Sequence, residues 1–118
     1  LRKFHHNKLP DYSALLIGRE TNNDIAANSD YLQIWYNNTD ESWVGQGEKP
    51  HKHDLSDECF IVLRGNLLVL VEGKEYNIGP HEFCLFPRGV YHAIKSVHPP
   101  AETFMIRAPS VEDKTYQD

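Results

Sequence analysis

The sequence is short of the residues that staple or span. It has only two cysteines, Cys59 and Cys84, which is too few for the disulfide framework of a small secreted domain. A reducing, cytoplasmic setting is therefore the default expectation. The longest apolar runs, such as Asn66–Val71, are too short to cross a bilayer, and no signal peptide or membrane partner is expected. Positive charge is also scarce, with 12 basic against 17 acidic residues and a net charge of -5. Nonspecific nucleic-acid binding needs a clustered positive field, and none is visible. The pair His5-His6 reads as part of an irregular lead-in rather than a basic arm. No segment of useful length has a helical period, and no repeat of solenoid length is present.

Strand signals, by contrast, are abundant. The 118 residues suffice for one domain, taken as 1–118, and the 40% hydrophobic and 25% charged fractions are ordinary for a globular chain. Ser13–Gly18 and Tyr31–Tyr36 read as early strands, separated by an Asn- and Asp-rich loop over Thr21–Ser29. Asn37–Glu41 reads as a turn, and Trp43–Val44 leads into Gly45-Gln46-Gly47. Beyond Glu58 the pattern becomes dense. Strands are expected at Glu58–Leu63, Leu67–Val71, Glu75–Ile78, Glu82–Phe86, His92–Val97 and Thr103–Arg107. Gly65-Asn66, Glu72-Gly73-Lys74, Pro87-Arg88-Gly89 and His98-Pro99-Pro100 are read as the connections. Strands at this spacing with turn residues between them make an all-β sandwich or barrel. Ser110–Asp118 is polar and is expected to form a short helix or to fray.

The chemistry begins at His51-Lys52-His53. Residues i and i+2 of a strand share a face, about 6.6 Å apart at Cα, so two imidazoles converge while Lys52 points away. Glu58 follows at the wrong parity for one continuous strand, so Asp54–Asp57 must bend the chain to return Glu58 to the same side. His92, far along the chain, joins them only if the sheet closes on itself, as a barrel does.

These residues fall into a known pattern. Gly45, five residues, His51-x-His53, four residues, Glu58, six residues and Gly65 resemble the first cupin motif at every fixed position. Pro87-x-Gly89-x-x-His92 resembles the core of the second motif, and fifteen residues separate the two motifs, between Gly65 and His81. Two positions depart from the pattern. His81-Glu82 stands where the second motif opens with Gly-Asp, and Ser96 stands where it closes with Asn. The resemblance implies a cupin double-stranded β-helix barrel, of jelly-roll type, with one divalent transition metal held by His51, His53, Glu58 and His92. Three imidazoles and a carboxylate suit Fe(II), Mn(II), Ni(II), Co(II) or Zn(II). Four protein ligands on an octahedral ion leave two positions for substrate, water or O₂. The formal +1 charge of such a site suits an anionic or enolate-forming ligand. Cupins commonly pair through a sheet face, so a homodimer is expected.

Strand phase gives a first picture of the pocket. With Glu58 inward, Phe60 and Val62 follow, and Cys59, Ile61 and Leu63 face out. With His92 inward, Ile94 and Ser96 follow. The pocket formed by Phe60, Val62, Ile94 and Ser96 would be small, apolar and partly aromatic, suited to a small organic ligand. His81 and His98 read as turn and surface residues, and Cys59 as structural. Trp35 and Trp43 read as packing residues, and Arg88 as a solvated turn residue. Three functions fit. The first is a metal-dependent enzyme on a small organic substrate, with dioxygenase chemistry ahead of isomerase, decarboxylase or lyase chemistry. The second is a binding or sensing barrel without turnover. The third is a barrel whose metal only stabilises the fold. Cupins host many activities, and the resemblance does not choose among them.

Overall fold

A computed structural model describes residues 4–19, 21, 23–44 and 48–118, with the side chains of 43–44 not described. Gly45, which opens the first motif, lies outside the described residues, as does the side chain of Trp43. Among the described residues ten strands form one sheet system. They are β1 (Ala14–Gly18), β2 (Ala27–Asn28), β3 (Gln33–Thr39), β4 (Trp43–Val44), β5 (His51–His53), β6 (Asp57–Val71), β7 (Lys74–Ile78), β8 (Phe83–Phe86), β9 (His92–Ala108) and β10 (Lys114–Tyr116). The all-β cupin barrel expected from the sequence is the observed architecture. Among the described residues no helix is long and apolar enough to cross a membrane.

The backbone of the fold is a ribbon of β6 and β9, antiparallel from Asp57↔Ala108 to Val71↔His92. A strand rises about 3.3 Å per residue, so a straight ribbon would hold Glu58 on the order of 40 Å from His92. In the structure the Glu58 carboxylate is 2.9 Å from His92 Nε2. The ribbon is therefore folded back until its ends meet. Register shifts between Val62 and Arg64, Arg64 and Asn66, and Leu68 and Val69 mark where it bends. Such irregularities add curvature and twist to a paired strand.

The crease corrects two readings of the sequence. Gly65-Asn66 is not a turn between two strands, because β6 runs through it. His98-Pro99-Pro100 likewise lies inside β9 and does not divide it. Gly65 instead supplies a left-handed φ of +81°, and a Cβ there would sit 2.6 Å from the His98 carbonyl oxygen. Opposite it the register passes from Arg64↔Glu102 to Asn66↔His98 and leaves Pro99 and Pro100 without partners on β6. Proline has no N–H to offer a ladder, so an opened register suits it. At the tip, Glu72 and Gly73 both have positive φ, 48° and 82°, which is the signature of a tight hairpin turn into β7.

Three further boundaries moved. β3 continues to Thr39, past the expected end at Tyr36, because Asn37–Thr39 pair with Ala101–Thr103. The expected loop at Thr21–Ser29 contains β2, two residues parallel to the end of β1. The polar segment after Ser110 neither coils nor frays, and forms β10 against β5. On the inner side Val62, Leu67, Val69, Phe86 and Ile94 make the buried core, with Phe60, Val71, Ile78, Cys84 and Val97 packed against them.

Gly65→Ala tests the crease. The added Cβ meets backbone at 2.6 Å, and the left-handed φ is unfavourable for alanine. The substitution should lower the unfolding free energy by about 2 kcal/mol or more in chemical denaturation. The same change at Gly73 should cost less, because no atom lies within 4 Å of a Cβ there.

Candidate metal centre

The short strand β5 runs between β10 and the start of β9, with His51 directly opposite His92. Glu58 is the second residue of β6 and reaches the same point from the far end of the folded ribbon. One donor atom from each of His51, His53, Glu58 and His92 lies within 4.8 Å of the other three. All four residues are buried, between 2% and 7% exposed. The bend at Asp54–Ser56 restores the parity of Glu58. Lys52 turns outward, 3.3 Å from Asp54 and over the ring of Tyr91.

Hydrogen bonds on the rear of each imidazole decide what faces the centre. Nδ1 of His51 is 3.0 Å from the Lys49 carbonyl, and Nδ1 of His92 is 3.0 Å from the Val90 carbonyl. Nδ1 of His53 is 2.9 Å from Asp113 Oδ1. Arg107 Nη1 also stands 3.3 Å from that nitrogen. The carboxylate is nearer and only accepts, so we assign the proton on Nδ1 to the Asp113 bond. Each ring thus spends its one proton at the rear and presents a bare Nε2 lone pair inward. His53 Nε2 is buried, with no hydrogen-bond partner among the described residues. Glu58 adds acceptors, its two oxygens 2.9 Å from His92 Nε2 and 3.6 Å from His53 Nε2. A buried cluster of acceptors without donors is repulsive unless a proton or a cation lies among them. Three imidazole nitrogens and one carboxylate are a donor set for a divalent transition ion, and the residues present fit one.

The local electrostatics favour the deprotonated ligands that a metal requires. Burial depresses the His51 pKa to about 4, with the His92 and Lys114 charges adding to it against the hydrogen bond to Lys49. Burial alone would raise the Glu58 pKa. The adjoining His92, with His53 and Arg107, outweighs it and holds the carboxyl below its ordinary value. The Phe86 ring stacks on His92 at 4.1 Å and nearly parallel, which fixes the plane of that ligand.

The cluster opens on a cavity of about 770 Å³. Of the four residues expected to line it, Phe60 and Ile94 do, and Val62 and Ser96 do not. Val62 has the expected inward phase but lies deeper, fully buried in the apolar core. Ser96 is displaced by a bulge. The register steps from Leu68↔Ser96 to Val69↔Ile94, so Lys95 is an extra residue and the alternation reverses. Val97 takes the inward position. The wall is also less apolar than expected. Trp35, Leu67 and Met105 share it with Gln33, Glu48, Thr103 and Arg107. Burial raises the Glu48 pKa, and its carboxylate is 3.9 Å from His51 Nδ1.

The remaining candidates take structural places. Cys59 and Cys84 are free thiols, and burial raises both pKa values, that of Cys84 to about 11. Neither has the character of a reactive thiolate. Arg88 is largely exposed and pairs with Asp57 on the surface. His81 holds a φ of +63°, which explains why the motif has glycine at that place. Beside it Glu82 accepts a hydrogen bond from the Gly79 amide, so the turn survives the departure from Gly-Asp.

A family profile described as "Cupin domain" matches residues 41–107. The match spans more than half of the chain, which therefore belongs to the cupin family. Among solved structures it is similar to KdgF from Halomonas sp., at 20% identity over 85% of this chain and 79% of that one, with a TM-score of 0.61. A Streptomyces PAC13 variant with uridine is 9% identical over 98% of this chain and 92% of that one, with a TM-score of 0.68. A cupin-2 domain containing protein from Shewanella frigidimarina is 27% identical over 72% of this chain and 76% of that one, with a TM-score of 0.50. No curated protein matches the chain in sequence.

His51→Ala should sharply lower metal content per chain, measured by elemental analysis after reconstitution, and should lower the melting temperature of the metal-loaded protein. Lys52→Ala should leave the metal content at the wild-type value. Full occupancy in the first variant, or loss in the second, would contradict the assignment of ligands to this face of β5.

Proposed function

We propose that this cupin is a metal-dependent enzyme acting on a small organic anion, with His51, His53, Glu58 and His92 as the ligands of one divalent transition ion. The observation that carries the reading is the buried acceptor-only cluster at the base of a cavity with an unpaired cation in its wall. Arg107 lines the cavity, and among the described residues no carboxylate lies within ion-pair distance of its guanidinium. Its Nε is buried without a hydrogen-bond partner. A half-buried guanidinium beside a cationic centre suits a carboxylate or enolate substrate, which would offset both charges.

A bound ion would supply Lewis acidity and withdraw charge from a substrate oxygen. The chain itself supplies the rest. Arg107 orients the anionic group, Trp35 and Phe60 exclude water from one side, and Glu48 is the carboxylate placed to move a proton. This polar, proton-handling wall supports a redox-neutral isomerase or lyase reaction as the first reading. Oxygen-dependent cleavage is the second reading, supported by a donor set that also suits Fe(II).

The outer face of the sheet supports the expected homodimer. Ile61 pairs with both Phe83 and Phe104, and Cys59 with Leu85 and Ile106, so two apolar rows cross β8, β6 and β9. Phe83 is 76% exposed and Leu85 54%, and contiguous exposed apolar residues of this kind mark interaction sites. Phe83→Asp should convert a dimer to a monomer in sedimentation velocity and leave the metal content unchanged. A wild-type monomer at micromolar concentration would remove the proposal.

The test of function is metal analysis of protein purified without chelator or nickel resin, followed by a screen of small organic acids. Substrate loss is followed by NMR with and without O₂. Turnover in the absence of O₂ supports the isomerase or lyase reading, and strict dependence on O₂ with bound iron supports the second. Arg107→Gln should keep the metal and lower kcat/KM by about 10- to 100-fold, the size expected for one charge-assisted hydrogen bond. Wild-type kcat/KM in that variant would remove the anion reading.

A further inference from the structure

The segment that follows β9 holds more than its own strand. β10 lies along β5 with Lys114 opposite His53, Thr115 opposite Lys52 and Tyr116 opposite His51. The Gln117 amide donates to the Pro50 carbonyl at 2.9 Å. All three residues of β10 are exposed, so the strand has little buried side chain of its own. The buried anchor is Asp113, whose side chain is 2% exposed. Its Oδ1 accepts from His53 Nδ1 at 2.9 Å, and its Oδ2 accepts from the Ser56 hydroxyl at 2.7 Å and the Leu55 amide at 3.0 Å. The same segment contributes Glu112, Lys114 and Tyr116 to the cavity wall.

We propose that Asp113 is a positioning residue that couples the docking of β10 to metal binding at His53, so that metal occupancy completes the cavity wall. The proposal rests on the reading of the four-residue cluster as a metal centre. A cation at His53 Nε2 withdraws electron density from the ring and makes Nδ1–H a stronger donor. The bond to the Asp113 carboxylate strengthens with it. Linkage makes the effect reciprocal: whatever the ion adds to docking of the segment, the docked segment adds to affinity for the ion. His51 and His92 lack this coupling, because their rear partners are the carbonyls of Lys49 and Val90, two residues back along the same chain. Among the described residues, His53 is the imidazole whose Nδ1 is hydrogen-bonded to a segment 60 residues away.

The experiment uses the full chain and Zn(II), with no turnover required. Dissociation constants come from competition with a chelating dye, and hydrogen exchange of residues 110–117 is measured with and without Zn(II). Asp113→Asn keeps the shape but sets an amide donor against one of the three donors that now meet a carboxylate. It should weaken Zn(II) binding by about 10- to 100-fold. Thr115→Ala, on the same strand, should bind as the wild type does. In the wild type Zn(II) should slow exchange across 114–117, and in Asp113→Asn it should not. The Co(II) visible spectrum should also shift in Asp113→Asn, which a merely structural contact would not cause. Should that variant fail to fold, Asp113→Glu retains the charge and should give an intermediate affinity. Wild-type affinity in Asp113→Asn, or exchange that ignores Zn(II) in the wild type, overturns the coupling alone. A wild-type chain that binds no Zn(II), Co(II) or Mn(II) overturns the metal-centre reading as well.

Discussion

Closure of the β6–β9 ribbon is the constraint on which the rest of the molecule depends. Two long strands paired end to end would make a flat hairpin with its termini far apart. Folded at Gly65 and the Pro99-Pro100 pair, the same hairpin brings Glu58 within hydrogen-bonding distance of His92. The concave side then carries the core and the cavity, and the convex side carries the apolar rows of Ile61, Phe83 and Leu85. The crease is narrow, since the Gly65 backbone sits where no side chain fits. One glycine thus sets the approach of two candidate ligands that are 34 residues apart.

The centre is shaped as much by main chain as by side chains. Two of its three imidazoles are oriented by carbonyls two residues upstream, just before their strands begin. Those contacts are local in sequence, so the tautomers follow from the main chain beside each histidine. The third imidazole depends on a side chain from a separate segment, which makes His53 the candidate ligand most exposed to remote change. The four candidate ligands therefore differ in what holds them, although all are similarly buried.

What the sequence disclosed follows the range of each interaction. His51-x-His53 was legible because i and i+2 share a face of any strand, and Glu58 and His92 because two motifs carry fixed spacing. The inward phase of Phe60 and Ile94 was legible for the same reason. Ser96 was misplaced because a bulge is a property of two paired strands, and Lys95 carries no local mark of it. Val62 had the right face but the wrong depth, and depth depends on where the ribbon bends. Gly65-Asn66 and His98-Pro99-Pro100 have turn chemistry, yet they face each other across one crease and serve as a bend in paired strands. Asp113 had no local signal at all. It sits in a polar stretch with no period, and its partners His53, Leu55 and Ser56 are known only once β10 has found β5.

The folded ribbon also has a consequence in time. Joining its two ends is a long-range closure, of the kind that is slow in folding. Contacts that form after the transition state change the unfolding rate more than the folding rate. An ion tying Glu58 to His92 would act as a clasp on the finished article, leaving the folding rate nearly unchanged and slowing unfolding. Resistance to forced or irreversible opening would then depend on the rate at which the clasp is released rather than on the depth of the apolar core.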